Sequence, residues 1–232
     1  MSPKAVLFDF SGTLFRVEPA ERWLRAVLDA AGIAADDAGI VRCAAALERA
    51  GALAGGAFPE RVPEALEEVW LTRDRSMERH RAAYTGLARQ VPLPWPDGVY
   101  DALYDRHMTP AAWEPYPDAA AVLRGLRERD VRVGVVSNIG WDLRPVFRTH
   151  GLDAYVDAYT LSYEHGVQKP DPLLFRAACE AVGQAPQDVL MVGDDRRADG
   201  GATALGCGFF PVDHLPAAER PDGLRPVLGL VG

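Results

Sequence analysis

Several polar residues in this 232-residue chain stand directly after short apolar runs, and together they have the makings of a cation and phosphate site. Asp9 closes the run Ala5-Val6-Leu7-Phe8, Ser137 and Asn138 close Val131 to Val136, and Asp194 follows Val189 to Val192 with Asp199 just beyond. Lys169 lies in a polar loop ahead of an expected helix over 172–182. Converging carboxylates repel one another unless a hard cation sits between them, and Mg²⁺ takes oxygen ligands of this kind. A hydroxyl, a helix-start amide and an ammonium placed opposite would suit a phosphate group. Composition also singles out Lys169, because the chain holds 23 Arg and only two Lys, Lys4 and Lys169. Arg does not replace Lys where a compact point charge is needed. Each element alone has a plainer reading: Asp9 in an Asx-type turn, Ser137-Asn138 as a turn, Lys169 as a solvated loop charge, Asp195 as a loop residue. Their order after successive strands is what favours a site.

These side chains meet only if the apolar runs are neighbours in one sheet. Unbroken Val, Leu and Phe without polar alternation fit parallel strands covered on both faces. Ligands of open α/β sheets bind beyond the carboxyl ends of the strands, where Asp9 would project while Gly12 lets the chain turn sharply. From Pro117 onward strands and helices alternate: a helix from about Asp118, its plausible N-cap, to Glu128; a strand over 131–136; a helix over 141–149; a short strand within 155–161; the helix over 172–182; a strand over 189–192; a helix opened by Gly200-Gly201-Ala202; and a last strand over 209–212. Ahead of that region the chain reads as helical, with a helix from Ala20 to about Ala31 and Ala- and Arg-rich segments over 37–52, 60–89 and 97–107. Trp113-Glu114-Pro115-Tyr116-Pro117 reads as a linker. The expected fold is α/β, a Rossmann-like doubly wound parallel sheet formed by residues 1–16 and 117–232, with a smaller all-helical domain over 17–116 inserted after the first strand.

Composition narrows the partners. With 48% hydrophobic residues the chain can bury a core, and its formal charge of −8 argues against nucleic acid or an anionic membrane as partner. No 18 apolar residues run together, so a cytoplasmic protein without a membrane segment is expected. Cys43, Cys179 and Cys207 are odd in number, far apart and without a CxxC pair, which suggests buried structural thiols rather than disulfides or zinc ligands.

The chain resembles the haloacid dehalogenase-like hydrolase superfamily over essentially its full length. Asp9-Phe10-Ser11-Gly12-Thr13 is similar to the first family motif, Ser137-Asn138 to the second, Lys169-Pro170 to the third, and Gly193-Asp194 with Asp199 to the fourth. The resemblance implies that Asp9 attacks phosphorus to form an aspartyl-phosphate, and that Mg²⁺ is held by Asp9, the Ser11 carbonyl and Asp194 with support from Asp199. It further implies that Ser137 and the Asn138 amide hold phosphate oxygens and that Lys169 neutralises phosphate and nucleophile. A helical cap between the first and second motifs is the arrangement of family members acting on small molecules, here a phosphorylated metabolite.

Ser11 departs from that pattern. Family phosphatases usually carry a second Asp at this position, the acid that protonates the leaving group and then activates water, and a serine hydroxyl cannot do this at neutral pH. Family dehalogenases typically have Tyr there and phosphonate-cleaving members Ala. Phosphonate cleavage needs a cap lysine, and residues 16–117 contain none. A phosphatase is favoured by the pair Asp194 and Asp199; a 2-haloacid dehalogenase-type hydrolase and a low-turnover phosphate-binding or regulatory protein are the alternatives. His107, His165 and Glu114 are conceivable substitutes for the missing acid. The basic run of Arg73, Arg75, Arg79 and Arg81 with His80 reads as a solvated helix face, with recognition of an anionic substrate tail as its second reading.

Overall fold

The computed structural model describes residues 2–231. Its centre is a parallel sheet of β1 (Ala5–Phe8), β4 (Arg132–Ser137), β5 (Ala158–Leu161), β6 (Val189–Gly193) and β7 (Gly208–Pro211) in the order β5-β4-β1-β6-β7. A separate antiparallel ribbon pairs β2 (Phe15–Val17) with β3 (Trp113–Pro115).

Burial on both faces explains the composition of the central strands. Val6 and Phe8 of β1 join Val133, Val135 and Val192 in one core cluster, while Ala5 and Leu7 join Val136, Val189 and Met191 in another. Helix α6 (Ala119–Arg127) supplies Val122, Leu123 and Leu126 to the first cluster, and α7 (Arg144–Thr149) supplies Val146 and Phe147. Helix α9 (Pro172–Ala181) supplies Leu174, Phe175, Ala178 and Cys179 to the second. A strand inside such a sandwich alternates its side chains between two apolar layers, so no position needs to be polar until the strand ends. Register then aligns those ends: Phe8 lies opposite Val135 of β4 and Val192 of β6, and the Asp9 N–H donates to the Val192 carbonyl at 2.9 Å.

The region between β2 and β3 is helical, as expected, but more divided. It contains α1 (Ala20–Ala30), α2 (Asp37–Arg49), α3 (Glu67–Leu71), α4 (Met77–Ala88) and α5 (Gly98–His107). The helical segment expected over 60–89 is divided into 3₁₀ turns at Glu64–Leu66 and Arg73–Arg75 around α3 and α4, and Ser76 starts α4 afresh by accepting from the Arg79 N–H. Outside that region, α8 (Ser162–His165) is a single turn ahead of the Lys169 loop.

Four other local expectations are corrected. Residues 113–115 are not a free linker but a strand, pairing Trp113 with Val17 and Pro115 with Phe15 where the chain leaves and rejoins the sheet. Asp118 does not cap α6; its Oδ2 accepts the N–H groups of Leu224 and Arg225, tying the C-terminal segment to the core. Residues 199–205 form a 3₁₀ helix rather than an α-helix, consistent with two adjacent glycines of poor helix propensity. The helix expected from residue 141 begins only at Arg144.

One ion pair fixes the helical region beside the ribbon. Glu18 is buried, and Arg106 of α5 grips it with Nε–Oε1 at 2.7 Å and Nη2–Oε2 at 2.8 Å, while Arg22 of α1 adds a contact at 3.1 Å. Removing one partner of a buried pair strands the other charge. Glu18→Ala should therefore lower unfolding free energy by about 3 kcal/mol, read from urea denaturation, and a loss within the error of the measurement would show that the pair is replaceable by water.

Candidate active site

Asp9, Ser11, Ser137, Asn138, Lys169, Asp194 and Asp199 line one cavity of about 160 Å³ beyond the carboxyl ends of β1, β4 and β6. Asp9 continues β1, and the chain after it turns at Gly12, whose φ of +80° is a conformation that L side chains rarely adopt. Arg220 secures that turn from the far end of the chain: its Nη1 donates to the Gly12 carbonyl at 2.7 Å, its Nη2 donates to the Thr13 carbonyl, and its guanidinium stacks on Tyr116.

Lys169 is the centre of the site. Its side chain is 3% exposed, and Nζ donates to Asp9 Oδ1 at 2.7 Å, Asp199 Oδ1 at 2.6 Å and the Val136 carbonyl at 3.0 Å. All three ammonium protons are thus engaged, in a geometry that a planar guanidinium cannot reproduce. Asn138 holds the loop in place, its Oδ1 accepting the Lys169 N–H at 2.6 Å and its Nδ2 donating to the Lys169 carbonyl at 3.0 Å. Ser137, at the end of β4, is buried beside them.

The electrostatics are those of a crowded acidic site. Burial pushes the Asp9 carboxyl up to about 8; Lys169 opposes this, and the charges of Asp199 and Asp194 add to it. Asp199, also buried, is raised mainly by desolvation. For Lys169 desolvation works toward the neutral amine, yet the Asp199 and Asp9 carboxylates outweigh it and hold the group above its ordinary value, fully protonated. Asp194 goes the other way: burial would raise it, but His214, with Nδ1 2.5 Å from Asp194 Oδ2, and Lys169 hold it below the usual carboxylate range. Asp9, Asp194 and Asp199 each offer an oxygen within 4.8 Å of the others. An all-oxygen donor set with three carboxylates against one ammonium fits a hard divalent cation.

The proposed stand-ins for a missing acid do not reach the cavity. His107 is buried, with Nδ1 against the Tyr104 carbonyl, and burial pushes it down to about 3. Glu114 is exposed and paired with Arg22, and His165 is exposed at the end of α8. The basic run is corrected too. Arg75 and Arg79 face solvent, but His80 is buried and Arg73 is largely covered; both line the cavity together with Asp74. His214, which also lines it, carried no signal in the sequence because it lies in an irregular stretch after β7.

The bridging ammonium generates a stability prediction. Lys169→Met keeps the stem but removes the partner of two buried acidic groups, so the metal-free protein should lose about 3–5 kcal/mol above about pH 8, where Asp9 is ionised. Unpaired carboxylates with raised pKa values are stabilised by taking up protons, so the deficit should shrink as pH falls. Denaturation curves across pH measure both, and a deficit that grows on acidification would contradict the charge assignment.

A family model described as haloacid dehalogenase-like hydrolase matches residues 3–204. A phosphoserine phosphatase of Thermus thermophilus is 32% identical over 212 residues, 90% of this chain and 74% of that protein. Several other curated relatives are matched over about half of their own length. Among solved structures, a HAD phosphatase from Thermococcus onnurineus aligns with a TM-score of 0.56 at 24% identity, covering 90% of this chain and 86% of that one. L-2-haloacid dehalogenase from Xanthobacter autotrophicus, with chloropropionic acid covalently bound, aligns with a TM-score of 0.64 at 22% identity, covering 98% and 86%. At these identities the structural likeness shows the shared fold, and the family model together with the sequence match shows the family: the chain belongs to the haloacid dehalogenase-like hydrolases.

Proposed function

We propose that the protein is a Mg²⁺-dependent phosphatase that hydrolyses a small phosphorylated metabolite through an aspartyl-phosphate on Asp9. The observation that carries this reading is the convergence of Asp9, Asp194 and Asp199 around a single buried ammonium. Mg²⁺ would be held by Asp9, Asp194 and the Ser11 carbonyl with Asp199 in support, and when bound would supply neutralisation of carboxylates and phosphate oxygens.

The chain's own groups then divide the work. Asp9 presents its carboxylate to phosphorus in line with the departing oxygen, displacing the alcohol and forming the acyl phosphate. Lys169, held by Asn138, offsets the negative charge on Asp9 and on the transferring phosphoryl group. Ser137 and the Asn138 main-chain amide hold phosphoryl oxygens. The helical region over 17–116 acts as a cap that closes the cavity, and the two-stranded ribbon of β2 and β3 joins it to the sheet. A substrate of metabolite size agrees with the cavity volume of about 160 Å³ and with the Thermus thermophilus relative named for a phosphorylated amino acid.

Dehalogenation at Asp9 would use the same nucleophile, and solved dehalogenases share the fold. The carboxylate pair Asp194 and Asp199 favours the phosphatase, since displacement of halide requires no divalent cation. A screen of phosphorylated metabolites with and without Mg²⁺ tests the choice. Phosphate release should require Mg²⁺ and stop on chelation, and Asp9→Asn should abolish it while leaving the thermal midpoint within a few degrees. Activity on haloacids that survives exhaustive chelation would favour the dehalogenase, and phosphate binding without release would favour the regulatory alternative.

Lys169 gives a sharper test within the same assay. Lys169→Arg preserves charge but not the three-way bonding of the ammonium, so kcat/KM should fall by at least about 10²-fold. Near-normal turnover by the Arg variant would show that any cation suffices there.

A further inference from the structure

The position usually reserved for the acid is occupied by Ser11, and the structure shows why a longer side chain is absent. Ser11 Oγ is buried without a hydrogen-bond partner, and a Cβ built on Gly55 would lie 2.6 Å from it and from the Trp113 ring. The Gly55-Gly56 turn of the helical region thus lies directly over Ser11 and fills the space a carboxylate would need. A proton donor for the leaving group must come from another wall of the cavity.

Beyond Lys169 and the three convergent carboxylates, that wall holds Arg73, Asp74, His80, Tyr84, Asp195 and His214 as its titratable groups. Arg73 is a guanidinium and not an acid. His214 is bound to Asp194, and Asp195 Oδ1 is committed to the N–H groups of Arg197 and Ala198. Burial drives His80 well below its ordinary value, so it is neutral, and its Nδ1 lies 2.8 Å from the Tyr104 hydroxyl. Burial also raises Tyr84, and its phenol, already a far weaker acid than a carboxyl, is the poorer proton donor. Asp74 remains.

Asp74 is 3% exposed, and its carboxyl meets only long contacts, Arg73 Nε at 3.5 Å and His80 Nε2 at 3.7 Å. Burial raises its pKa, against smaller opposing effects of Arg73 and Lys169, so the carboxyl keeps a proton at higher pH than an ordinary Asp. Its backbone is fixed to the core on the phosphate side of the cavity. Ser162 Oγ donates to the Asp74 carbonyl at 2.5 Å, Gln168 Nε2 donates to the Leu71 carbonyl at 3.0 Å, and His80 Cβ lies so close to Gly140 that no Cβ fits there. The segment carrying Asp74 is thereby stitched to the loops that carry Asn138 and Lys169.

We propose that Asp74 is the catalytic acid and base in place of residue 11, and that the substrates are phosphate monoesters of unactivated alkyl alcohols. This rests on the phosphatase reading above. In the first step Asp9 Oδ forms a bond to phosphorus as the phosphorus–oxygen ester bond breaks; its electron pair goes to the leaving oxygen, which takes the Asp74 proton and departs as the alcohol. In the second, water attacks phosphorus of the aspartyl-phosphate, the acyl phosphate bond breaks to restore the Asp9 carboxylate, and the Asp74 carboxylate accepts the water proton, leaving phosphate and a protonated Asp74. An aryl phosphate needs no such proton, because a phenolate leaves unaided, whereas an alkoxide is too basic to leave without one.

The two leaving-group classes separate this role from a structural one. Asp74→Asn, saturated with Mg²⁺, should lose about 10²-fold or more on β-glycerol phosphate and less than about fivefold on p-nitrophenyl phosphate in single-turnover assays. Equal losses on both, or no loss on either, overturn the assignment while leaving the phosphatase reading intact. Should the variant fail to fold, the unaltered chain decides: comparable single-turnover rates on the two substrates are expected, and a rate on the alkyl ester lower by about 10³-fold overturns it. An unaltered chain that turns over neither ester overturns the phosphatase reading and this inference together.

Discussion

A single buried ammonium organises the site. Lys169 Nζ bonds at once to Asp9, Asp199 and the Val136 carbonyl, and without it two largely buried carboxylates would face each other. Removing such charges from solvent is costly unless they are paired and hydrogen-bonded. Everything adjacent serves that arrangement: Asn138 holds both polar groups of the Lys169 backbone, and the register of β1 against β4 and β6 brings the three strand ends level. Three carboxylates with oxygens close together share one bridging ammonium, which is the physical basis for proposing a divalent cation there.

The fold supplies the precision this requires from a distance. The sheet's central strands are covered on both faces, so their ends are rigid, while the loop after Asp9 is secured by Arg220, which lies 208 residues further on from Gly12 in sequence. The helical region returns to the sheet through a ribbon of only three residues per strand, steadied by the Glu18–Arg106 pair. The Gly55 turn and Asp74 of that helical region line the cavity.

Much of this was legible in the sequence, for identifiable reasons. Asp9, Ser137, Asn138 and Asp194 stand where unbroken apolar runs stop, and a run buried on both faces tolerates polarity only at its end. Lys169 was conspicuous as a lysine in a chain that otherwise uses arginine. The ribbon was hidden because Phe15–Val17 and Trp113–Pro115 are too short to show a two-residue period, and Asp118 was misread because a capping residue and a long-range acceptor look alike in sequence. Arg73 and His80 read as part of a solvated face, and Asp74 between them carries no signal, because a charged run says nothing about which members turn inward. Here a 3₁₀ turn at 73–75 breaks the helical periodicity and sends Asp74 into the cavity. His214 could be found only from three-dimensional proximity to Asp194.

Covalent attack by Asp9 is the step on which the proposed activity turns. Rapid quenching in acid of the Mg²⁺-loaded protein during turnover of ³²P-labelled p-nitrophenyl phosphate, followed by peptide mapping, tests it directly. The predicted result is a hydroxylamine-labile phosphoryl label on Asp9 that forms and decays at rates matching turnover. Steady phosphate release with no protein-bound label, or with the label on another residue, would contradict it.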